Sequence, residues 1–207
     1  MDSQIVFEKA ASSTENGGYH FALMQQADIS EAAHVLSIAM LNNPLHRAVF
    51  LGHGEQERKE IEKMFYDLLS TAPGIVYLAK ENDKIIGVMR FKSCNGKGGD
   101  EPDMLEHDKN INWRKATWLE EWAERDPVEP HWHLGPIVVL PSRRGRGVGT
   151  KLMRRFCREV DECSASAYLE TDLEKNVRFY EKFGFKVIAG STMFDVENRY
   201  MVRASKK

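Results

Sequence analysis

Residues 131–140, HWHLGPIVVL, form an apolar run that stops at Pro141 and passes into SRRGRGVGT. Apolar residues then recur at helical spacing as Val148, Leu152, Phe156 and Val160. A strand, a loop holding Gly145, Gly147 and Gly149, and a helix are therefore expected in direct succession. The first amides of such a helix lack intrahelical partners, and its dipole favours negative charge beside them. Glycine lets the backbone approach a ligand, and Arg143, Arg144 and Arg146 ring the loop with positive charge. The ligand expected from this chemistry is a phosphate or pyrophosphate. Because the formal net charge of the chain is only -2, the basic loop is a local feature, and a general nucleic-acid binder is not expected.

The rest of the 207 residues, 42% of them hydrophobic, supply a core for one domain at about residues 19–205, after a polar leader over residues 1–18. YHFALMQ reads as a strand. Asp28 is placed to cap a helix with Ala32, Val35, Leu36 and Met40 on its apolar face, and NNP is expected to stop it. EQERKEIEKMFYDLLSTAPG repeats the helical pattern with Ile61, Phe65, Leu68 and Leu69, ending at Pro73 and Gly74. IVYLAK and KIIGVMRF flank the turn END as a hairpin. Residues 92–130 read as an insertion or lid: a loop, SCNGKGGDEPD, then a helix with Trp118 and Trp122 one turn apart. AYLET is a strand, EKNVRFYEKFG a helix, and FKVIAG and NRYMVRA closing strands. Strands separated by helices, with a hairpin among them, indicate an α/β or α+β fold around a mixed sheet. No apolar run is long enough to span a bilayer, and the first residues lack a signal-peptide pattern, so a cytoplasmic protein without a membrane partner is expected. Cys94, Cys157 and Cys163 have no CxxC spacing and read as reduced thiols.

Three phosphate loops compete for residues 141–152. A Walker loop fails, because Thr150 precedes Lys151 where the order must be the reverse. A dinucleotide fingerprint lacks glycine at 150, although Glu170 lies about where a ribose-binding acid is expected. The spacing Arg144-x-x-Gly147-x-Gly149 resembles the acetyl-CoA loop of the GCN5-related N-acetyltransferase (GNAT) superfamily. Downstream, YLETDLEKNVRFYEKFGFKVI carries Asn176, Tyr180 and a Gly-Phe return to a strand, a series similar to that family's. The resemblance spans about residues 19–203, is most specific over residues 131–187, and is departed from by the insertion at residues 92–130.

The resemblance implies a mixed, mostly antiparallel central sheet with a splayed parallel strand pair, flanked by helices. It implies acetyl-CoA as cosubstrate and acetyl transfer to a primary amine by direct attack. By position, the backbone of Ile137, Val138 and Val139 meets the cofactor arm. Arg144, Gly145, Arg146, Gly147, Val148, Gly149 and Thr150 surround its pyrophosphate, and Arg143 is a solvated turn residue. Asn176 contacts the cofactor arm or caps its helix. Tyr180 is the general acid that protonates the departing thiolate; the alternative is a core tyrosine packed beside Phe179 and Phe183.

Glu170, in AYLET, is a candidate base or a structural acid. His131 and His133 share one face of their strand, and His133 is a second candidate base. Two histidines without a third ligand do not make a metal site, so no metal is expected. All four tryptophans, Trp113, Trp118, Trp122 and Trp132, fall within twenty residues, as packing for the insertion helix or as an aromatic substrate wall. MLNNPLHRAVF corresponds to a region that often shapes the acceptor pocket in the family. A small-molecule amine is favoured over a protein N-terminus or lysine because the insertion could close a pocket. A non-catalytic acyl-CoA-binding module and a dinucleotide-binding protein are the other classes, and the resemblance leaves a homodimer open.

Overall fold

The computed structural model describes residues 18–72, 74–96 and 111–206. Most of the polar leader, Pro73 and the later part of the SCNGKGGDEPD loop lie outside these residues. The elements run β1 (His20–Leu23), α1 (Ile29–Met40), α2 (Pro44–Phe50), α3 (Glu55–Thr71), β2 (Ile75–Glu81), β3 (Lys84–Cys94), α4 (Ile111–Arg125), β4 (His131–Val139), α5 (Val148–Glu162), β5 (Ala167–Thr171), α6 (Glu174–Glu181), β6 (Lys186–Met193) and β7 (Val196–Arg203). Seven strands form one sheet in the order β1-β2-β3-β4-β5-β7-β6. Every neighbouring pair is antiparallel except β4 and β5. Among the described residues, no helix is long and apolar enough to cross a membrane.

β3 explains why the sheet is covered on both sides. Its residues from Ile85 to Phe91 are buried without alternation, as a strand between two helical layers must be. Met89 and Phe91 pack with Leu152, Phe156 and Val160 of α5 on one face. Ile85 and Val88 pack with Leu36 of α1, Phe50 of α2 and Phe65 of α3 on the other. α4 joins this second layer through Trp118, whose ring meets His46 of α2 at 5.1 Å and Trp122 at 4.9 Å. Arg114 of α4 also donates to the carbonyl of Ala48 at 2.8 Å. Trp118 thus packs against α2 with Trp122 beside it, while Trp113 meets Phe194, in the turn between the edge strand β6 and β7, at 5.9 Å.

Three local expectations are corrected. Asp28 does not cap α1 with its side chain; its carboxylate accepts from Lys80 Nζ at 2.7 Å and from the amide of Gln25 at 2.8 Å. NNP ends α1 but also starts α2: Asn43 accepts from the amide of His46 at 2.9 Å and Pro44 occupies the first helical position. Asn before Pro is an N-terminal signal as well as a break. β3 runs on to Cys94, three residues into the stretch assigned to the insertion.

His46 is buried against Phe50, Phe65 and Trp118, with one ring nitrogen donating to Asn43 Oδ1 at 2.9 Å. Burial holds its pKa down at about 4, from 6.5. The folded state therefore takes up this proton less readily than the unfolded chain, so the stability that the neutral ring contributes is complete above pH 6.5 and is lost as pH falls toward 4. The loss is on the order of 3 kcal/mol. Urea unfolding between pH 7 and 4 should show that fall in wild type and a shallower one in His46→Phe.

Candidate active site

β4 and β5 pair at Trp132↔Ala167 and His133↔Tyr168 and then part. The parting begins where β4 reads Leu134-Gly135-Pro136. Across the β3–β4 ladder the register shifts between Met89 and Phe91, leaving Gly135 and Pro136 opposite Arg90. Proline has no amide to donate and bulges a strand. Arg90 spans the bulge, its Nη1 donating to the carbonyl of Gly135 at 3.2 Å.

Beyond the bulge, β4 turns half of its backbone groups into the gap. The amide of Leu140 donates to the carbonyl of Ile86 at 2.9 Å. In an antiparallel ladder the hydrogen-bonded residues alternate, so Val138 also faces β3 while Ile137 and Val139 face the gap. The carbonyl of Val139 accepts from Arg144 Nε at 3.3 Å. All three residues expected to offer backbone contacts, Ile137, Val138 and Val139, line the cavity.

The gap opens into a cavity of about 1230 Å³ that continues from the glycine loop to the chamber between α2, α3 and α4. At the loop end, Gly145 and Gly147 have φ of +79° and +81°, which side-chain-bearing residues adopt only at a cost. A β-carbon at either would meet nothing within 4 Å, so glycine here serves conformation and leaves the loop surface open. The first intrahelical bond of α5 runs from the amide of Lys151 to the carbonyl of Gly147 at 3.0 Å. The amides of Val148, Gly149 and Thr150 consequently have no intrahelical acceptor. Arg144 lines the cavity. Arg146 does not: its Nη1 donates to Glu81 Oε1 at 2.7 Å, while Arg143 Nε donates to Oε2 at the same distance. The two arginines hold the Glu81 carboxyl below its ordinary range. Arg143, expected as a solvated turn, does line the cavity.

Midway along the cavity stand Asn176, Tyr180 and Glu170. Asn176 is the third residue of α6, not its cap, and its side-chain amide donates to Thr171 Oγ1 at 3.2 Å. The ring of Tyr180 packs edge-on against Phe179 at 5.5 Å, while its hydroxyl makes no hydrogen bond with a described residue. Burial, aided by Asp172 and Glu170, pushes the phenol well above its ordinary pKa, so it stays protonated at neutral pH. The Glu170 side chain is 2% exposed. Its Oε2 accepts from His133 Nε2 at 2.9 Å, and its buried Oε1 has no hydrogen-bond partner. Burial opposes charge on His133, but Glu170, Asp126 and Cys94 outweigh it and raise the pKa of the ring. Cys94 is affected in the opposite sense: burial would raise its thiol, but His131 and His133 bring it down to about 6.

Several of these neighbours left no trace in the sequence pattern. Asp126 follows the insertion helix, and nothing in its spacing points to the histidines. Asp172 accepts from Asn43 Nδ2 at 2.7 Å and from the amide of Leu45 at 2.8 Å, fastening the start of α2 to the end of β5 across the cavity mouth. His46 and Arg90, both in the cavity wall, carry no local motif.

The sequence profile of the acetyltransferase (GNAT) family matches residues 38–185. The chain belongs to this family. A structure described as histone acetyltransferase HPA2 and related acetyltransferase from Corynebacterium glutamicum superposes with a TM-score of 0.66 at 18% identity, over 90% of this chain and 96% of the other. A GNAT family acetyltransferase from Brucella melitensis, in complex with acetyl-CoA, gives 0.54 at 19% identity over 93% and 91%. Mosquito arylalkylamine N-acetyltransferase like 5b gives 0.62 at 15% identity over 89% and 99%. These likenesses establish a shared GNAT fold: a mostly antiparallel sheet opened at one parallel pair. In this GNAT chain the glycine loop bears a conformational constraint that denaturation can measure. Gly147→Ala places a β-carbon at φ +81° and is expected to lower the unfolding free energy by about 1–2 kcal/mol in urea titrations.

Proposed function

We propose that the protein transfers acetyl from acetyl-CoA to the primary amine of a small molecule that carries an apolar or aromatic body. The observation that carries this reading is the continuity of one cavity, from the open amides at the start of α5, past Tyr180 and Glu170, to an aromatic chamber. The residues at the loop fit a pyrophosphate: three amides without intrahelical acceptors, two left-handed glycines with open space beside them, and Arg144. The gap-facing amides of Ile137 and Val139 fit an extended amide-bearing arm.

Acetyl-CoA supplies an activated acyl group and a thiolate leaving group. Glu170 Oε1 takes the proton that the amine must lose to form its new N–C bond, directly or through a water. His133 is a positioning residue: by donating to Oε2, it leaves Oε1 as the free acceptor. The amide of Ile137 or Val139 stabilises negative charge that develops on the acyl oxygen. Tyr180 gives its proton to the sulfur as the C–S bond breaks. The chamber for the acceptor is walled by Met40, Met64, Phe65, Trp118, Leu119 and Trp122, a lining that favours an apolar body over a hydrated peptide.

Tyr180→Phe is expected to lower kcat by about 10²–10⁴-fold while the calorimetric Kd for acetyl-CoA stays unchanged. Wild-type protein that binds acetyl-CoA but releases no CoA thiol with any primary amine or peptide would mark a binding module, and acetylation of peptides alone would move the acceptor class to proteins. Leu119 is exposed and lines the chamber. Leu119→Lys is expected to raise KM for an amine about tenfold through like-charge repulsion, with acetyl-CoA affinity and melting temperature preserved.

A further inference from the structure

Beside Glu170, where His133 also lines the cavity, ligand-type side chains gather in two sets that share His133: Cys94, His131 and His133, and Asp126, His133 and Glu170. Cys94 ends β3 and lies opposite His131 in the β3–β4 ladder. His133 shares the face of His131, and Asp126 follows the last residue of α4. The Cys94 sulfur and one ring nitrogen of each histidine lie within 4.8 Å of one another. Asp126 Oδ1 is 3.3 Å from His131 Nε2 and 3.5 Å from His133 Nδ1.

Charge-assisted N–H···O hydrogen bonds close to about 2.7–2.9 Å, so these two contacts are long for protonated rings on a carboxylate. Imidazole nitrogen and carboxylate oxygen ligands at about 2.0–2.2 Å from a tetrahedral zinc ion stand about 3.3–3.5 Å from one another, which matches both. The opposite nitrogen of each ring assigns the tautomer. His131 Nδ1 lies 2.9 Å from the carbonyl of Glu129, which can only accept, so Nδ1 carries a proton and Nε2 is the nitrogen left for a metal. That nitrogen belongs to a side chain 1% exposed and makes no aligned hydrogen bond. His133 Nε2 donates to Glu170 at 2.9 Å, which leaves Nδ1, beside Asp126, as the nitrogen for a metal. A carbonyl and a carboxylate holding the outer N–H groups of two histidines are the second shell of a metal site.

We propose that Cys94, Asp126, His131 and His133 form a four-coordinate zinc(II) site. One thiolate, one carboxylate and two neutral imidazoles balance the charge of the ion, and zinc takes the place of the proton that Asp126 and Cys94 otherwise hold on His133 Nδ1. Four protein ligands close the coordination sphere, which makes the role structural. The ion ties the end of β3 and the residue after α4 to β4, and it locks the ring that orients Glu170. Asp126 is 22% exposed, so the site has an entry path. The proposal goes beyond acetyl transfer and stands independently of it.

The test uses the tag-free full chain, stripped with a chelator and titrated with cobalt(II), then with zinc(II). The expected result is one cobalt per chain, with the visible spectrum of a four-coordinate ion and a thiolate-to-cobalt band, both removed by zinc. Cys94→Ser is expected to lose the thiolate band and bind cobalt at least tenfold more weakly, Asp126→Asn to weaken binding while keeping the band, and Cys157→Ser to behave as wild type. Zinc raises the melting temperature of wild type but not of Cys94→Ser; a stripped chain that refolds only with zinc supports the site equally. The proposal is overturned by a stripped wild-type chain that unfolds cooperatively yet binds no cobalt saturably, or by a thiolate band that survives in Cys94→Ser. Either readout on the wild-type and Cys157→Ser chains decides the matter even where another variant fails to fold.

Discussion

Everything functional in this molecule depends on β4 leaving β5 after His133. A continuous parallel pair would satisfy its own backbone groups and leave no gap. Gly135 and Pro136 prevent this by inserting a bulge against β3, where proline removes one donor and the shifted register turns the strand away. The amides of Ile137 and Val139 then face the gap, and the carbonyl of Val139 accepts from Arg144 instead of from a strand. The glycine loop, which follows four residues after the bulge, inherits its place at the mouth of the same gap. The floor of the cavity is thus backbone, and side chains decorate its two ends.

The loop end and the middle of the cavity differ in how they hold charge. At the loop, Glu81 accepts from Arg143 and Arg146 at the protein surface, which braces the loop and leaves Arg144 beside the cavity. Surface pairs of this kind contribute little to stability, so their effect is on where the arginines point. Midway along the cavity, Glu170 and His133 are buried together. A buried ion pair is costly unless its remaining atoms are satisfied, and Glu170 Oε1 is left without a partner. That unsatisfied oxygen is what supports the proposal of Glu170 as the proton acceptor.

The acceptor chamber is the product of a second constraint, the fastening of α2 to β5 by Asp172. With α2 held there, its His46 stacks into the aromatic cluster that also receives Trp118 of α4. The insertion helix consequently supplies both packing and cavity wall. The two expectations for its tryptophans were not exclusive, because a helix packed beside a mouth presents one stripe to the core and its margin to the opening.

What was legible in the sequence was whatever short-range chemistry determines. The apolar run, the three glycines and the helical spacing after them specify strand, loop and helix, because torsional freedom and unpaired helix amides are properties of adjacent residues. The resemblance of the Asn to Gly-Phe series to the family's singled out Asn176 and Tyr180, whereas the two-sided burial of β3, Arg90 included, was not read from the sequence. Tertiary structure alone decided that Arg146 stands outside the cavity, since its partner Glu81 is 65 residues away. It also decided that Asp172 would hold Asn43, 129 residues away, and that Cys94, Asp126, His131 and His133 would share one pocket of charge. Such partnerships have no periodicity, because a long-range contact is specified by where two backbones come to lie and not by the spacing of the residues that make it.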